Sequence, residues 1–231
     1  AAASDPIVEA QVARMFRASD PYSSREKVWC NLHPCVGTAS MSQTLRGVNY
    51  GGRFVPEKYL GLYGTAEYLF KGVKKNPGKR EIGLCDLDAP DSGQRMARFL
   101  DDHIKREHFS RMADLGFNII RLPLGYWNLI DLPEGKTPVG PHESEVRWRN
   151  LQNLMNASAY SKWINMTFQF AREAGIKVMP DLHSAPGAQS GNQNTGCDLG
   201  LDSHFHMTLE SNLLLSVRAV EAMAKLCASH G

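Results

Sequence analysis

The chain has 231 residues, 42% of them hydrophobic and 22% charged, with a formal net charge of +2. This is an ordinary globular composition, enough for one domain or two small ones. The charge balance argues against nucleic acid or an anionic membrane surface as a partner, and no apolar run approaches the roughly 18–20 residues of a membrane span.

Residues 1–44 are irregular in pattern and read as an N-terminal extension. Within them 7–17 has helical spacing, with Val8, Val12, Met15 and Phe16 on one side and Asp5 placed to cap it. Residues 45–50 (LRGVNY) are the first strand candidate, followed by Gly51 and Gly52. Alternation puts Leu45, Gly47 and Asn49 on one face and Arg46, Val48 and Tyr50 on the other. Residues 53–75 hold Phe54, Tyr59, Tyr63, Tyr68 and Phe70, with Glu57 among them. Such a stretch can wall a sugar site, because rings stack on the apolar faces of sugars; it can equally be a satellite core under a long loop. The basic run at 74–80 reads as a solvated turn, since no second basic patch supports a nucleic-acid contact.

Residues 91–115 have helical spacing, with Phe109, Met112 and Leu115 as the apolar side and Gly116 as the stop. The second strand is 118–125 (NIIRLPLG), with Ile119, Arg121 and Pro123 on one face and Ile120, Leu122 and Leu124 on the other. An Arg in so apolar a strand is costly to bury unpaired, and Asp181 on the next strand is its natural partner. Pro123 cannot donate to a ladder, so it belongs at the strand's end. A long excursion over 126–159 opens with Tyr126 and Trp127 and has a short helical pattern over 146–155.

Residues 160–174 form an amphipathic helix with Trp163, Thr167, Phe170 and Ala174 along one stripe, and Gly175 suits the position just past a helix end. Residues 176–183 then read as a buried strand. Ile176, Val178, Pro180 and Leu182 share one face; Met179, Asp181 and His183 share the other. A Gly- and Asn-rich loop follows over 184–196. An acid and an imidazole on one face at a strand's C-terminal end, before such a loop, is how α/β proteins build sites. The plain alternative is a buried Asp and His that only satisfy each other. A last helix spans 206–229, with Leu209, Leu213, Val217, Val220 and Ala224 on one side.

Strand, helix, strand, helix, strand, helix implies parallel strands with right-handed crossovers. A polar set of Asn49, Arg121, Asp181 and His183 near the strand ends is the pattern of a (β/α)8 TIM barrel rather than of a doubly wound sheet, and no G-x-G-x-x-G or P-loop marks a nucleotide site. The fold expected is therefore α/β, with residues 45–231 supplying about the first three β/α units of such a barrel. Five cysteines (Cys30, Cys35, Cys85, Cys197 and Cys227) show no metal-type spacing, and Cys30 and Cys35 are near enough in sequence to bridge a tight loop. Two glycosylation acceptor patterns start at Asn156 and Asn165. The first residues, Ala-Ala-Ala-Ser-Asp, suit a processed or trimmed product. Together these features point to a secreted, extracellular or cell-wall protein in an oxidising setting.

Three stretches, RGVNYGGRFVPEKY (46–59), FSRMADLGFNIIRLPLGYW (109–127) and IKVMPDLHSAPGAQSGNQNTG (176–196), resemble glycoside hydrolase family 5. More narrowly they are similar to its exo-β-1,3-glucanase branch, whose signatures run R-G-V-N-x-G-G, R-[IL]-P-[IL]-G-Y-W and D-L-H-x-A-P-G-x-Q in that order. The resemblance covers about residues 45–200 and implies a TIM barrel of retaining β-glycosidases acting on β-glucan. It implies that Arg121 orients the nucleophile and that His183 is the active-site imidazole after strand three. It implies that Glu57 hydrogen-bonds the terminal glucose and that the 184–196 loop lines the entrance to the sugar pocket. Asn49 joins them as a substrate contact. No cofactor or metal is implied.

The chain departs from that family at Arg53, where Trp is usual, near Lys58 and Tyr59, where an aromatic or Pro-Trp pair is usual, and at Gln193, where an Asp contacts sugar. Gln still hydrogen-bonds a hydroxyl but brings no charge. Retaining hydrolysis needs two carboxylates about 5–5.5 Å apart. The family's acid/base is the Glu of an Asn-Glu-Pro motif after strand four, and its nucleophile is a Glu after strand seven. No Asn-Glu-Pro occurs here, and Asp181 paired to Arg121 is a poor general acid. The catalytic pair is therefore expected outside this chain, with the remainder of the barrel on the same or another polypeptide and β-glucan or a related oligosaccharide as ligand. The alternative is a non-catalytic glucan-binding or structural subunit built on an incomplete barrel. A zinc site from Cys197, Asp202, His204 and His206 is a third reading; acids and imidazoles at a helix start account for those residues more simply.

Overall fold

Three strands, β1 (Gly47–Asn49), β2 (Ile119–Gly125) and β3 (Lys177–Ser184), make one parallel sheet in the order β1-β2-β3. The computed structural model describes residues 44–58, 68–74, 81–132, 138, 148–151, 153–190, 192–198 and 206–230. The expected helix at 7–17, the Cys30 and Cys35 pair, Tyr59, Tyr63 and residues 75–80 of the basic turn lie outside them.

The first crossover carries α1 (Ser92–His103) and α2 (Arg106–Asp114), and the second carries α3 (Ala157–Glu173); α4 (Glu210–His230) follows β3. The result is an incomplete, open α/β barrel-like arrangement. One sheet face is dry: Ile120, Leu122, Leu124 and Val178 are buried with Phe99, Leu100, Phe109, Ile164 and Phe168 from the helices. The other face is open to solvent and leaves Met179 45% exposed. The polar residues follow the alternation read from the sequence, but Ile119 and Pro123 on the open side are also buried, and Pro180 and Leu182 on the other are half-buried.

Register explains Pro123. Gly47, Val48 and Asn49 pair with Ile119, Ile120 and Arg121, and the β1–β2 ladder stops there. Tyr50 donates its N–H to the Arg121 carbonyl, so the odd-numbered β2 residues turn their backbone polar groups towards β1. Pro123 lies past the end of that ladder, and its missing N–H costs no bond. It sits inside the strand rather than at its end.

Five expectations about the helices are corrected. The helix expected over 91–115 is two helices, broken where Ile104 and Lys105 are extended. Ile104 drops into the core at the break, and no Gly or Pro marks it. Leu115, expected on the apolar side, is 69% exposed. In α3 the buried stripe is Tyr160, Trp163, Ile164, Thr167, Phe168 and Ala171, so Phe170 and Ala174 lie on its margin. The helix starts earlier than expected, at an N-cap Asn156 whose side chain accepts from the Ala159 N–H. In α4 the expected apolar side faces outward, with Leu213 46% and Val220 47% exposed. The packed stripe is Asn212, Leu215, Ala219, Ala222 and Leu226. Asn212 is buried because its amide donates to the His206 carbonyl.

Gly175, at φ 70°, ends α3 in the left-handed conformation expected of it. Across the helices, Asp101 of α1 accepts from Trp163 Nε1 at 2.8 Å and from Lys162 at 3.2 Å. Burial opposes the charge on Asp101, but these two hydrogen bonds outweigh it and hold its carboxyl below the usual range.

Candidate functional site

The open sheet face gathers the polar residues that the alternation placed there. Arg121 Nη2 meets Asp181 Oδ2 at 2.7 Å, and Arg121 Nη1 donates to Asn49 Oδ1 at 3.3 Å. His183 Nδ1 lies 3.0 Å from the same Asp181 oxygen and 3.3 Å from Arg121 Nη2. Residues from all three strands thus share one hydrogen-bonded set, centred on the guanidinium. With Nδ1–H donating to Asp181, Oδ2 accepts from both neighbours and Nε2 is left as an acceptor for an outside hydroxyl. Arg121 and Asp181 are each about a third exposed, so the pair adds only about 1 kcal/mol or less to stability. Its consequence is geometric.

His183 owes its position to an irregularity. The β2–β3 register runs from Leu124 opposite Leu182 directly to Gly125 opposite Ser184. His183 is the extra residue, opposite nothing on β2. A bulge of this kind re-aims a side chain at the end of a strand.

The loop after β3 is tied down from several sides. Gln189 accepts from the Ala185 N–H at 2.9 Å and donates through Nε2 to the His183 carbonyl. Gly187, at φ 78°, sits where a Cβ would meet the Asn212 amide at 2.3 Å, and its carbonyl accepts from His206 N–H at 2.8 Å. The loop therefore rests on the N-terminal end of α4. At its far end Cys197 is disulfide-bonded to Cys85, with a Cα–Cα distance of 5.3 Å, and Cys85 N–H donates to the Gly196 carbonyl at 3.1 Å. Trp127, just past β2, fills the space between: a Cβ on Gly125 would meet its ring at 2.4 Å and one on Gly196 at 2.6 Å.

Several buried polar atoms have no hydrogen-bond partner among the described residues: Glu57 Oε2, Trp127 Nε1, Asn128 Nδ2 and Ser184 Oγ. Trp127, Asn128 and Ser184 stand at or just past the C-terminal ends of β2 and β3, while Ser92 Oγ and Tyr160 Oη, on helices, are likewise unpartnered among the described residues. Buried polar groups are normally paired, so this end of the sheet holds unused hydrogen-bonding capacity. Glu57 is not drawn into the Arg121 set by any bond to it. Gln193 lies in a short 3-10 turn, Gln193–Thr195, and its side chain is outside the described residues. Gln189, which braces the loop against His183, is a residue the sequence reading did not single out, although it stands in the quoted loop motif.

Two sequence readings are corrected here. Phe54 and Phe70 are buried in the main hydrophobic core, and Tyr68 packs against it and donates to Asp102 at 3.0 Å beneath the Arg98 guanidinium; these three belong to the core rather than to a sugar wall. Cys197 is oxidised, so it offers no thiolate to a metal. Asp202 and His204 lie outside the described residues, among which no metal-binding cluster of His, Cys, Asp and Glu occurs.

With this geometry in hand, comparison with known proteins gives a consistent result. Glucan 1,3-beta-glucosidase 1 of Schizosaccharomyces pombe is 28% identical over 158 residues, covering 67% of this chain and 33% of that protein. Probable glucan 1,3-beta-glucosidase A of Aspergillus niger is 31% identical over 158 residues, covering 67% and 32%. The sporulation-specific glucan 1,3-beta-glucosidase of Saccharomyces cerevisiae is 25% identical over 197 residues, covering 82% and 38%. The chain is a distant homologue of glucan 1,3-beta-glucosidases. It spans about a third of the length of these curated relatives. No protein-family model matches it. Among solved structures, rutinosidase from Aspergillus niger has a TM-score of 0.56 at 17% identity, over 79% of this chain and 44% of that one. AoRut has a TM-score of 0.55 at 19% identity, over 79% and 43%. These two likenesses concern the fold.

Proposed function

We propose that the chain is the N-terminal part of a retaining β-glycoside hydrolase that acts on β-1,3-glucan, in which the open sheet face holds the terminal sugar. The observation that carries this reading is the single hydrogen-bonded set of Asn49, Arg121, Asp181 and His183 on one face of three parallel strands. Distant homology to glucan 1,3-beta-glucosidases supports the substrate class. No catalytic Glu pair is identifiable in these 231 residues.

In this reading the acid/base and nucleophile carboxylates come from the remainder of a TIM barrel, on the same or another polypeptide. Arg121 then orients the nucleophile, with its guanidinium already fixed by Asn49 and Asp181. His183 and Asn49 hydrogen-bond sugar hydroxyls. Glu57 brings a buried carboxylate oxygen without a partner among the described residues, which suits a hydroxyl donor. Gln193 takes the place of the family's sugar-binding Asp, and the 184–196 loop forms the rim. The Cys85–Cys197 disulfide supports a secreted or cell-wall location.

The test is hydrolysis of a β-1,3-glucan oligosaccharide by the longest natural polypeptide containing this sequence, with anomeric configuration followed by NMR. Retained configuration and a large loss of turnover in His183→Ala are expected. Glucan binding without hydrolysis would favour a non-catalytic glucan-binding subunit instead. An unchanged rate in His183→Ala would remove His183 from the site.

A further inference from the structure

We propose that Asn156 is an N-glycosylation site, modified at Nδ2. The inference rests on the proposed secreted location but not on any reading of the sheet face. The acceptor pattern here is Asn156, Ala157, Ser158. Such triplets are common, so the pattern alone decides little; the local geometry adds what it lacks.

Asn156 is exposed and is the N-cap of α3, with extended backbone at φ −74° and ψ 161°. Its Oδ1 accepts from the Ala159 N–H at 2.9 Å and from the Ser158 hydroxyl at 3.0 Å. A backbone N–H can bond only to the amide oxygen, so this fixes which way the side-chain amide faces. Oδ1 points into the helix end and Nδ2 points away from it. N-glycosylation uses Nδ2 and leaves the carbonyl oxygen in place. The cap and the sugar therefore occupy different atoms of one side chain, and the helix keeps its N-terminal hydrogen bonds after modification.

The second acceptor pattern is less well placed in the folded protein. Asn165 lies inside α3, and its Oδ1 is held at 2.9 Å from His230 Nε2. The hydroxyl of its partner Thr167 is fully buried and donates to the Trp163 carbonyl at 2.8 Å.

The reaction takes an oligosaccharide carried on a lipid diphosphate, the donor of the eukaryotic secretory pathway. A bond forms between Asn156 Nδ2 and the anomeric carbon of the sugar. The anomeric C–O bond breaks, the lipid diphosphate leaves with the electron pair, and the amide loses one proton.

The test expresses the longest natural polypeptide behind a secretion signal in a eukaryotic host. The peptide containing Asn156 is then read by mass spectrometry before and after enzymatic deglycosylation in heavy-oxygen water. The expected result is a glycan-bearing peptide that deglycosylation converts to one with a heavy-oxygen Asp at position 156. Ser158→Ala should abolish the modification while the secreted protein still folds with its full helical content by circular dichroism, because the Oδ1 cap to Ala159 remains. Recovery of the Asn156 peptide unmodified from folded, secreted protein overturns the proposal, as does a glycan on Asn165 alone. Glucan hydrolysis measured on the Ser158→Ala protein reports on the sheet-face reading separately.

Discussion

Arg121 and Asp181 meet at 2.7 Å although they are not opposite one another: the β3 partner of Arg121 is Met179. The guanidinium leans one step towards the C-terminal ends of the strands, and Asp181 holds it there. Asp181→Asn removes the charge and keeps the shape. With both side chains about a third exposed, the loss of stability should be about 1 kcal/mol or less. Turnover by a catalytically complete polypeptide should fall by on the order of ten- to a hundredfold, as misplaced catalytic groups do. Chemical denaturation alongside a glucoside assay separates the two. A large loss of stability with unaltered turnover would make the pair structural only.

Arg121→Lys tests the fork rather than the charge. Nη1 reaches Asn49 while Nη2 reaches Asp181, and one ammonium cannot reproduce that planar two-armed geometry. The Lys variant should fold and bind glucan yet lose most of its turnover, roughly tenfold or more, whereas Asn49→Ala should be milder because it removes one arm only. Equal activity in wild type and Arg121→Lys would show that charge alone suffices.

These residues were legible in the sequence because strand alternation is strict. Asn49, Arg121, Asp181 and His183 had to fall on one side of a parallel sheet once the strands were located, and the lone Arg called for an acid. What alternation could not show was the bulge that frees His183 from pairing, since nothing in the residues 182–184 marks an extra position. The break at Ile104 was hidden for a similar reason: it is set by a buried Ile inserting into the core, not by a helix breaker. The outward side of α4 reads as apolar from Leu209 to Val220, yet it is Asn212 and Ala219 that face inward in the folded chain. Helical spacing names a stripe; it does not say which stripe a sheet will cover. The Cys85–Cys197 link joins positions 112 apart, a separation no local pattern can encode.

That link carries its own prediction. It fastens the first crossover to the end of the site loop, where Cys85 N–H and the Gly196 carbonyl also meet. Closing so long a loop restricts the unfolded chain, and removal of such a disulfide costs about 2–5 kcal/mol. The Cys85→Ala/Cys197→Ala double variant should therefore melt well below wild type, and glucan affinity should weaken as the rim of the site loosens. Thermal melts with and without reductant should show wild type losing more than the variant, in which only the disulfide of Cys227 is left to reduce. Coincident melting of the two proteins under oxidising conditions would sink the idea.

Acid sensitivity should come in part from His108. Burial, and then the nearby Arg53 guanidinium, push its imidazole below the ordinary value, against a weaker opposing pull from Glu107, with His103 and Lys105 adding to the depression. Tyr50, buried between β1 and α2, meets its Nδ1 at 3.2 Å. Because the folded protein disfavours the imidazolium, the unfolded chain takes up a proton first as pH falls past about 6.5. Stability is thus fully present above that pH and is lost as the solution is acidified towards the depressed folded value. His230, depressed by burial and by Arg172, acts in the same direction. His108→Gln removes the titration and keeps a polar side chain near Tyr50. Denaturant midpoints measured from pH 8 to pH 5 should decline less steeply in the variant than in wild type. Parallel declines would mean that His108 protonates equally easily in both states.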